Sequence, residues 1–329
     1  MPKLSFIEYK EMVLHKMFLL DKLYNNENYN RLESNVEKYL YYRFQINDGI
    51  DVDSSILMMP IYLIMNLEIL KNEIKCKKQS GCSKKYELYS SKYEKYYFRG
   101  DTAINCMSLI QQLFSCMLGN KTAKPTKKNI NDKDYKNMLN ECISRMNDKE
   151  YKDIRTLLDE HICLCYSINN FYLIPYDRKR HSLNTNKEGF RSEGFYGMFD
   201  DDMYLFLVTI RCYILGEELC ETHSKKYADM INKYYQEWID SFGEGVKGWK
   251  NFIRINCFES FVDMNDEKVM PICFWNIDKN NIDFKSQIRD YLLQINGAMK
   301  KRENKILEGW RDVDSEKYGV IFEKYLMKL

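Results

Sequence analysis

The chain has 329 residues, enough for one large domain or two ordinary ones around a sizeable core. Its 50 Lys and Arg against 48 Asp and Glu leave a formal net charge of +2, which argues against an indiscriminate nucleic-acid binder and against an acidic tail protein. Eleven cysteines, an odd count without any Cys-x-x-Cys pair, argue against a disulfide framework or a zinc finger and for reduced, buried thiols.

The first stretch carries no secretory signal pattern, because Glu8, Lys10, Glu11, His15, Lys16 and Asp21 interrupt its apolar residues. The longest apolar run, Ile56 to Met65, is about half a membrane span, so a cytoplasmic chain without a membrane segment is expected. Ser5 and Glu8 form a capping box ahead of Met12, Val13, Met17, Leu20 and Tyr24, which predicts a helix. Asn30 and Glu33 repeat the device before Leu32, Val36, Tyr39, Leu40 and Phe44. The Asn47-Asp48-Gly49 turn then leads to a helix ending near Ile74, with Pro60 in its first turn or at a kink.

From Lys75 to Tyr96 the composition shifts to Lys, Ser and Tyr and reads as a solvated loop. Its tyrosines could stack on bases while its lysines follow phosphates. Phe98-Arg99-Gly100-Asp101-Thr102 precedes Ile104, Met107, Ile110, Leu113, Phe114 and Met117. Asp101 or Thr102 is expected to cap a helix there, and a helix start with Arg99 beside it suits an anion. A lysine-rich loop at 119–134 follows, then two helices around Met138 to Met146 and Ile154 to Cys165. His161-x-Cys163-x-Cys165 falls on the second. Positions two apart diverge on a helix, so buried thiols are expected rather than a metal site.

Tyr166 to Tyr176 is aromatic and β-branched and stops at Pro175, which predicts a lone strand or an extended crossing. A polar loop rich in arginine comes next, with Arg178, Lys179, Arg180, His181 and Asn184, and then Asp200-Asp201-Asp202 before the very apolar Met203 to Leu215. Thr222 can cap a helix through Trp238 and Ile239. Another helix runs from Gly245, Met270 to Trp275 reads as a short plug, Asp283 opens a long amphipathic helix, and Ser315 starts the last one. The fold expected is all-α, roughly ten helices, with at most a minor pair of short strands. It would form one domain over 1–329, or two helical groups, 1–120 and 134–329, divided at the 119–134 loop.

Only four histidines are present, and His181 alone lies in a polar loop, where Arg178, Lys179 and Arg180 would keep it neutral and able to act as a general base. Asp101 is the second catalytic candidate. No Gly-x-Ser-x-Gly, phosphate-loop or dinucleotide fingerprint occurs. Three adjacent carboxylates at Asp200 to Asp202 could hold magnesium, but as helix caps they need none, so no metal or cofactor is expected.

Gly100-Asp101-Thr102-x-x-Asn105, together with Ile168-Asn169-Asn170-Phe171-Tyr172-Leu173-Ile174-Pro175, resembles uncharacterised bacterial proteins. These carry a Gly-Asp-Thr-x-x-Asn motif ahead of an Ile-Gly-Asn-Phe-x-Leu-x-Pro motif, and Asn169 stands here where their pattern has glycine. The second segment, with Leu183-Asn184, Lys187, Gly189 and Phe190 after it, is also similar to the end of the HNH-like domain of restriction-type nucleases. That likeness transfers no catalytic residue, because the histidine pair such a site needs is not placed upstream. The function expected is binding of a polar, anionic ligand, a nucleotide or nucleic acid, between the 99–105 turn and the 169–191 loop. Arg99, Asp101, Thr102, Asn105, Asn170, Arg178, Arg180, Asn184 and Arg191 would line the site. The alternatives are a metal-dependent phosphodiesterase or nuclease, and a helical interaction module without enzymatic activity.

Overall fold

The computed structural model describes residues 5–15, 55–70, 74–78, 85–104, 106–118, 133–177, 203–218, 235–273, 277 and 283–325. The chain begins with α1 (Phe6–Leu14), where Ser5 and Glu8 close the expected capping box. Phe6, Tyr9 and Val13 form its buried stripe, and both aromatic rings meet Trp310 and Phe322. The single helix predicted up to Ile74 is instead α2 (Met59–Met65) and α3 (Leu67–Leu70), with Pro60 tolerated in the first turn. Asn66 divides them: its side-chain amide donates to Tyr62 O at 2.9 Å and competes with the helix ladder.

Next come β1 (Ile74–Lys78), β2 (Tyr86–Ser90) and β3 (Tyr96–Thr102), then α4 (Cys106–Met117), α5 (Lys133–Met146), α6 (Lys152–Cys165) and β4 (Phe171–Asp177). The four strands make one antiparallel sheet in the order β1-β2-β3-β4. The remainder is α7 (Met203–Leu215), α8 (Gln236–Asp240), α9 (Gly245–Asn256), the two-residue pair β5 (Val262–Asp263) and β6 (Lys268–Val269), α10 (Phe284–Arg311) and α11 (Ser315–Tyr325). None of the described helices is long and apolar enough to cross a membrane.

The protein is therefore mostly helical but not all-α, and the correction concentrates in one place. The 75–96 stretch read as a solvated loop is the β1–β2 hairpin and the start of β3, and the Arg99-to-Thr102 turn read as a helix start is the end of β3. β1 does alternate, with Ile74 and Cys76 buried and Lys75 and Lys77 exposed. In β2, however, Tyr86, Glu87 and Leu88 are all buried, as are Tyr96, Tyr97 and Phe98 in β3. Strands covered on both faces lose the period of two that identifies a strand in sequence. The extended segment expected near Tyr166 to Tyr176 is β4, and it lies in a ladder instead of crossing alone.

The core lies along α10, which packs on α6 and on two short 3-10 turns, Ile168–Asn170 and Glu259–Phe261. Gly297 does not interrupt this helix. Elsewhere α7 lies against α9 through Phe206 and Phe252, and Tyr172 from the sheet reaches Phe206 and Phe258. Gly248 is required there, because a Cβ would stand 2.1 Å from the Gly243 carbonyl oxygen and hold the turn away from α9.

Candidate functional site

The two sequence motifs do meet, through the β3–β4 ladder. Arg99 lies opposite Ile174, Asp101 opposite Tyr172 and Thr102 opposite Phe171, with Asn170 immediately before the strand. Asn170 is buried and its amide is fully engaged. Its Oδ1 accepts from Ile104 N at 2.8 Å, and its Nδ2 donates to Ile104 O at 3.0 Å and Cys165 O at 2.9 Å. With Ala103 N donating to Asn170 O as well, this residue clamps the entry of α4 to the end of α6. Arg99 donates through Nε and Nη2 to Glu87 Oε1, and Tyr89 OH donates to Glu87 Oε2 at 2.7 Å. The helix expected to start at Asp101 or Thr102 begins at Cys106, so those residues act as strand positions instead of caps. Asn105, Arg178, Arg180, His181, Asn184, Arg191 and Asp200 to Asp202 lie outside the described residues. The arginine-rich segment follows Asp177, which pairs with Tyr96. That end of the ladder is roughly 20 Å from Asn170 at strand rise.

One face of the sheet carries a mixture that strand pairing alone produces. The register sets Lys77 opposite Glu87 and Lys75 opposite Tyr89. Tyr89 and Tyr97 rings are 6.1 Å apart, the Lys77 amine lies 5.2 Å from the Tyr89 ring, and the Arg99 guanidinium lies 4.8 Å from the Tyr97 ring. Cations over aromatic faces are held by the ring quadrupole. Lys75 and Lys77 remain exposed and Tyr89 partly so, whereas Tyr97 and Glu87 are buried beneath them.

A second cluster lies where α4, α6 and α10 meet. His161 and Cys165 stand four residues apart on α6, so they share a face, and Cys106 from the first turn of α4 joins them. Sγ of both cysteines and one imidazole nitrogen of His161 lie within 4.8 Å of one another, and all three residues are buried. His161 Nε2 is 3.5 Å from Cys165 Sγ, and Nδ1 is 2.8 Å from Asn296 Oδ1 on α10. The Asn296 amide is fixed by its own donations to Leu157 O at 2.9 Å and Glu160 Oε2 at 3.2 Å. Oδ1 must therefore accept, so Nδ1 carries the proton and the Nε2 lone pair faces the thiols. Burial holds the Cys165 thiol well above its usual range, with a further push from Cys106. For His161 burial favours the neutral ring, but Cys165 and Asn296 favour the protonated one and set the net upward direction.

Within 161–165 the spacing of four, from His161 to Cys165, is the one that shares a helix face, whereas Cys163, two residues from each, diverges. No local signal could have added Cys106, which is 55 residues earlier and is delivered by the Asn170 clamp. Among the described residues none of the nine cysteines is in a disulfide, in line with the expected thiols. Burial pushes Cys76 and Cys142 up to about 12, so these two are inert fillers. The chain matches no protein-family model, no curated protein and no solved structure.

Proposed function

We propose that the chain binds a phosphate-bearing polyanion, a nucleotide or a single-stranded nucleic acid, at the exposed β1–β2 edge of the four-stranded sheet. The observation that carries this reading is the exposed Lys75 and Lys77 beside the half-buried Tyr89, set by strand register, with buried Tyr97 and mostly buried Arg99 behind them and Glu87 already taken up by Arg99 and Tyr89. Rings interleaved with cations suit an anionic strand, since stacking and phosphate neutralisation act together without reading sequence.

The test is fluorescence anisotropy with a labelled single-stranded oligonucleotide, with inorganic polyphosphate as competitor. In the double variant Lys75→Glu/Lys77→Glu, binding should weaken at least ~10-fold, and the logarithmic salt slope should flatten by roughly one unit or more. Both lysines are exposed, so the fold should be retained, with a small fall in the thermal midpoint because Lys77→Glu faces Glu87 across the strand pair. Equal affinity in wild type and variant, or no binding in the wild type, overturns the reading.

A further inference from the structure

We propose that Cys106, His161 and Cys165 form a binding site for one zinc ion. The proposal is independent of the polyanion surface, since none of its residues lies on that face.

One donor pair already has the spacing that the ion imposes, and the third donor lies within 4.8 Å of both. Zinc takes thiolate sulfur at about 2.3 Å and imidazole nitrogen at about 2.1 Å, so a tetrahedral ion separates the two donors by roughly 3.5 Å. The observed separation of Cys165 Sγ and His161 Nε2 is 3.5 Å. The imidazole already has the arrangement of a zinc ligand, with Nδ1 tied to an outer partner and Nε2 turned inward. That partner, Asn296, is itself held by two further hydrogen bonds, so the acceptor that orients the ring is fixed in place. Soft donors of this kind select zinc over magnesium or calcium.

Charge closes as well. Binding converts two thiols to thiolates and releases two protons to solvent, so a doubly charged ion with two thiolates and a neutral imidazole forms a neutral unit. A neutral unit suits a pocket whose three donors are all buried. No electron transfer is involved. The three donors leave one vertex of the tetrahedron for water, an arrangement used by zinc sites that keep an open position. The clamp at Asn170 has a role here: it bonds both Ile104, two residues before Cys106, and the Cys165 carbonyl, and so fixes the two sulfurs relative to each other.

The experiment uses the full chain, reduced, stripped with a chelator and reloaded with zinc or cobalt. One zinc should bind per chain, X-ray absorption should report two sulfurs with nitrogen or oxygen completing the shell, and cobalt should give thiolate charge-transfer and intense visible bands. Cys106→Ser and Cys165→Ser should each lose tight binding, while Cys163→Ser, on the same helix but outside the cluster, should keep it. Asn296→Ala, a positioning change, should weaken zinc ~10- to 100-fold while the cobalt thiolate band persists at saturation. Less than about a tenth of an equivalent bound by the wild type, a shell of four sulfurs or of none, or a thiolate band surviving in both serine variants would overturn the proposal. The first and second of these are read on the wild-type chain and do not depend on any variant folding.

Discussion

Arg99 on the sheet and Arg302 inside α10 both hold a guanidinium away from most solvent, and they neutralise it by opposite means. Arg99 meets a carboxylate, Glu87, and rests on the Tyr97 ring with its side chain still 13% exposed. Arg302 is 1% exposed, and it donates to backbone carbonyls: Asn256 O at 3.0 and 3.1 Å, Phe171 O at 3.0 Å, and Asn169 O. Its planar group also lies 4.6 Å from the Phe258 ring. Asn256 ends α9, and Cys257 turns left-handed at φ 53° to close it. The carbonyl Arg302 receives is therefore one that a helix terminus leaves unpaired and negative. Burial lowers the Arg302 pKa to about 10, which still leaves it charged at neutral pH. The comparison separates two uses of one residue type: Arg99 joins neighbouring strands at the rim of a surface, whereas Arg302 joins α9, the 3-10 turn and β4 at the centre.

This contrast predicts a graded response. Arg302→Met should have the largest effect, because it strands three buried carbonyls whose partners cannot be replaced by water. A loss of about 3 kcal/mol or more in urea unfolding is expected. Glu87→Gln should cost less, about 1–2 kcal/mol, since Arg99 retains partial solvent access and its ring contact. If the two variants lose equal stability, the distinction between centre and rim fails.

The smallest effect belongs to Glu8, a fully solvated carboxylate in the capping box of α1. The Ser5 backbone N–H, and then its hydroxyl, hold Glu8 below its ordinary value of 4.5. A lowered folded-state pKa means that its contribution is complete above pH 4.5 and disappears as pH falls through the lower value. The stability difference between wild type and Glu8→Ala, followed by urea titration against pH, should shrink across that acid window. A difference unchanged down to full protonation would show that the cap does not act through its charge.

Much of the helical part was legible before any coordinates. Ser5 with Glu8, the stripe of α10 and the start at Ser315 are local signals: a cap or a period of 3.6 is written in neighbouring residues, and the structure places helices there. The hairpin was only half legible. Lys75 and Lys77 alternate with Ile74 and Cys76, yet β2 and β3 are covered on both faces, and their tyrosines gave no strand period. For Asn170, an expected ligand contact, the structure adds hydrogen bonds from its amide to Ile104 and Cys165, partners that no local pattern announces.

By itself the sequence determined that the chain is mostly helical, that its described cysteines form no disulfide, and that cations and aromatic rings gather near 75–99. Only the tertiary structure decided which of them touch. Strand pairing put Lys77 over Tyr89 and Arg99 against Glu87, and the Asn170 clamp brought Cys106 to a histidine 55 positions away. Arg302 reads in the sequence as one more member of a basic run and is instead the most enclosed charge described here, because helix rotation, set by the packing of α10 on α6, chose which side chain of that run would face inward.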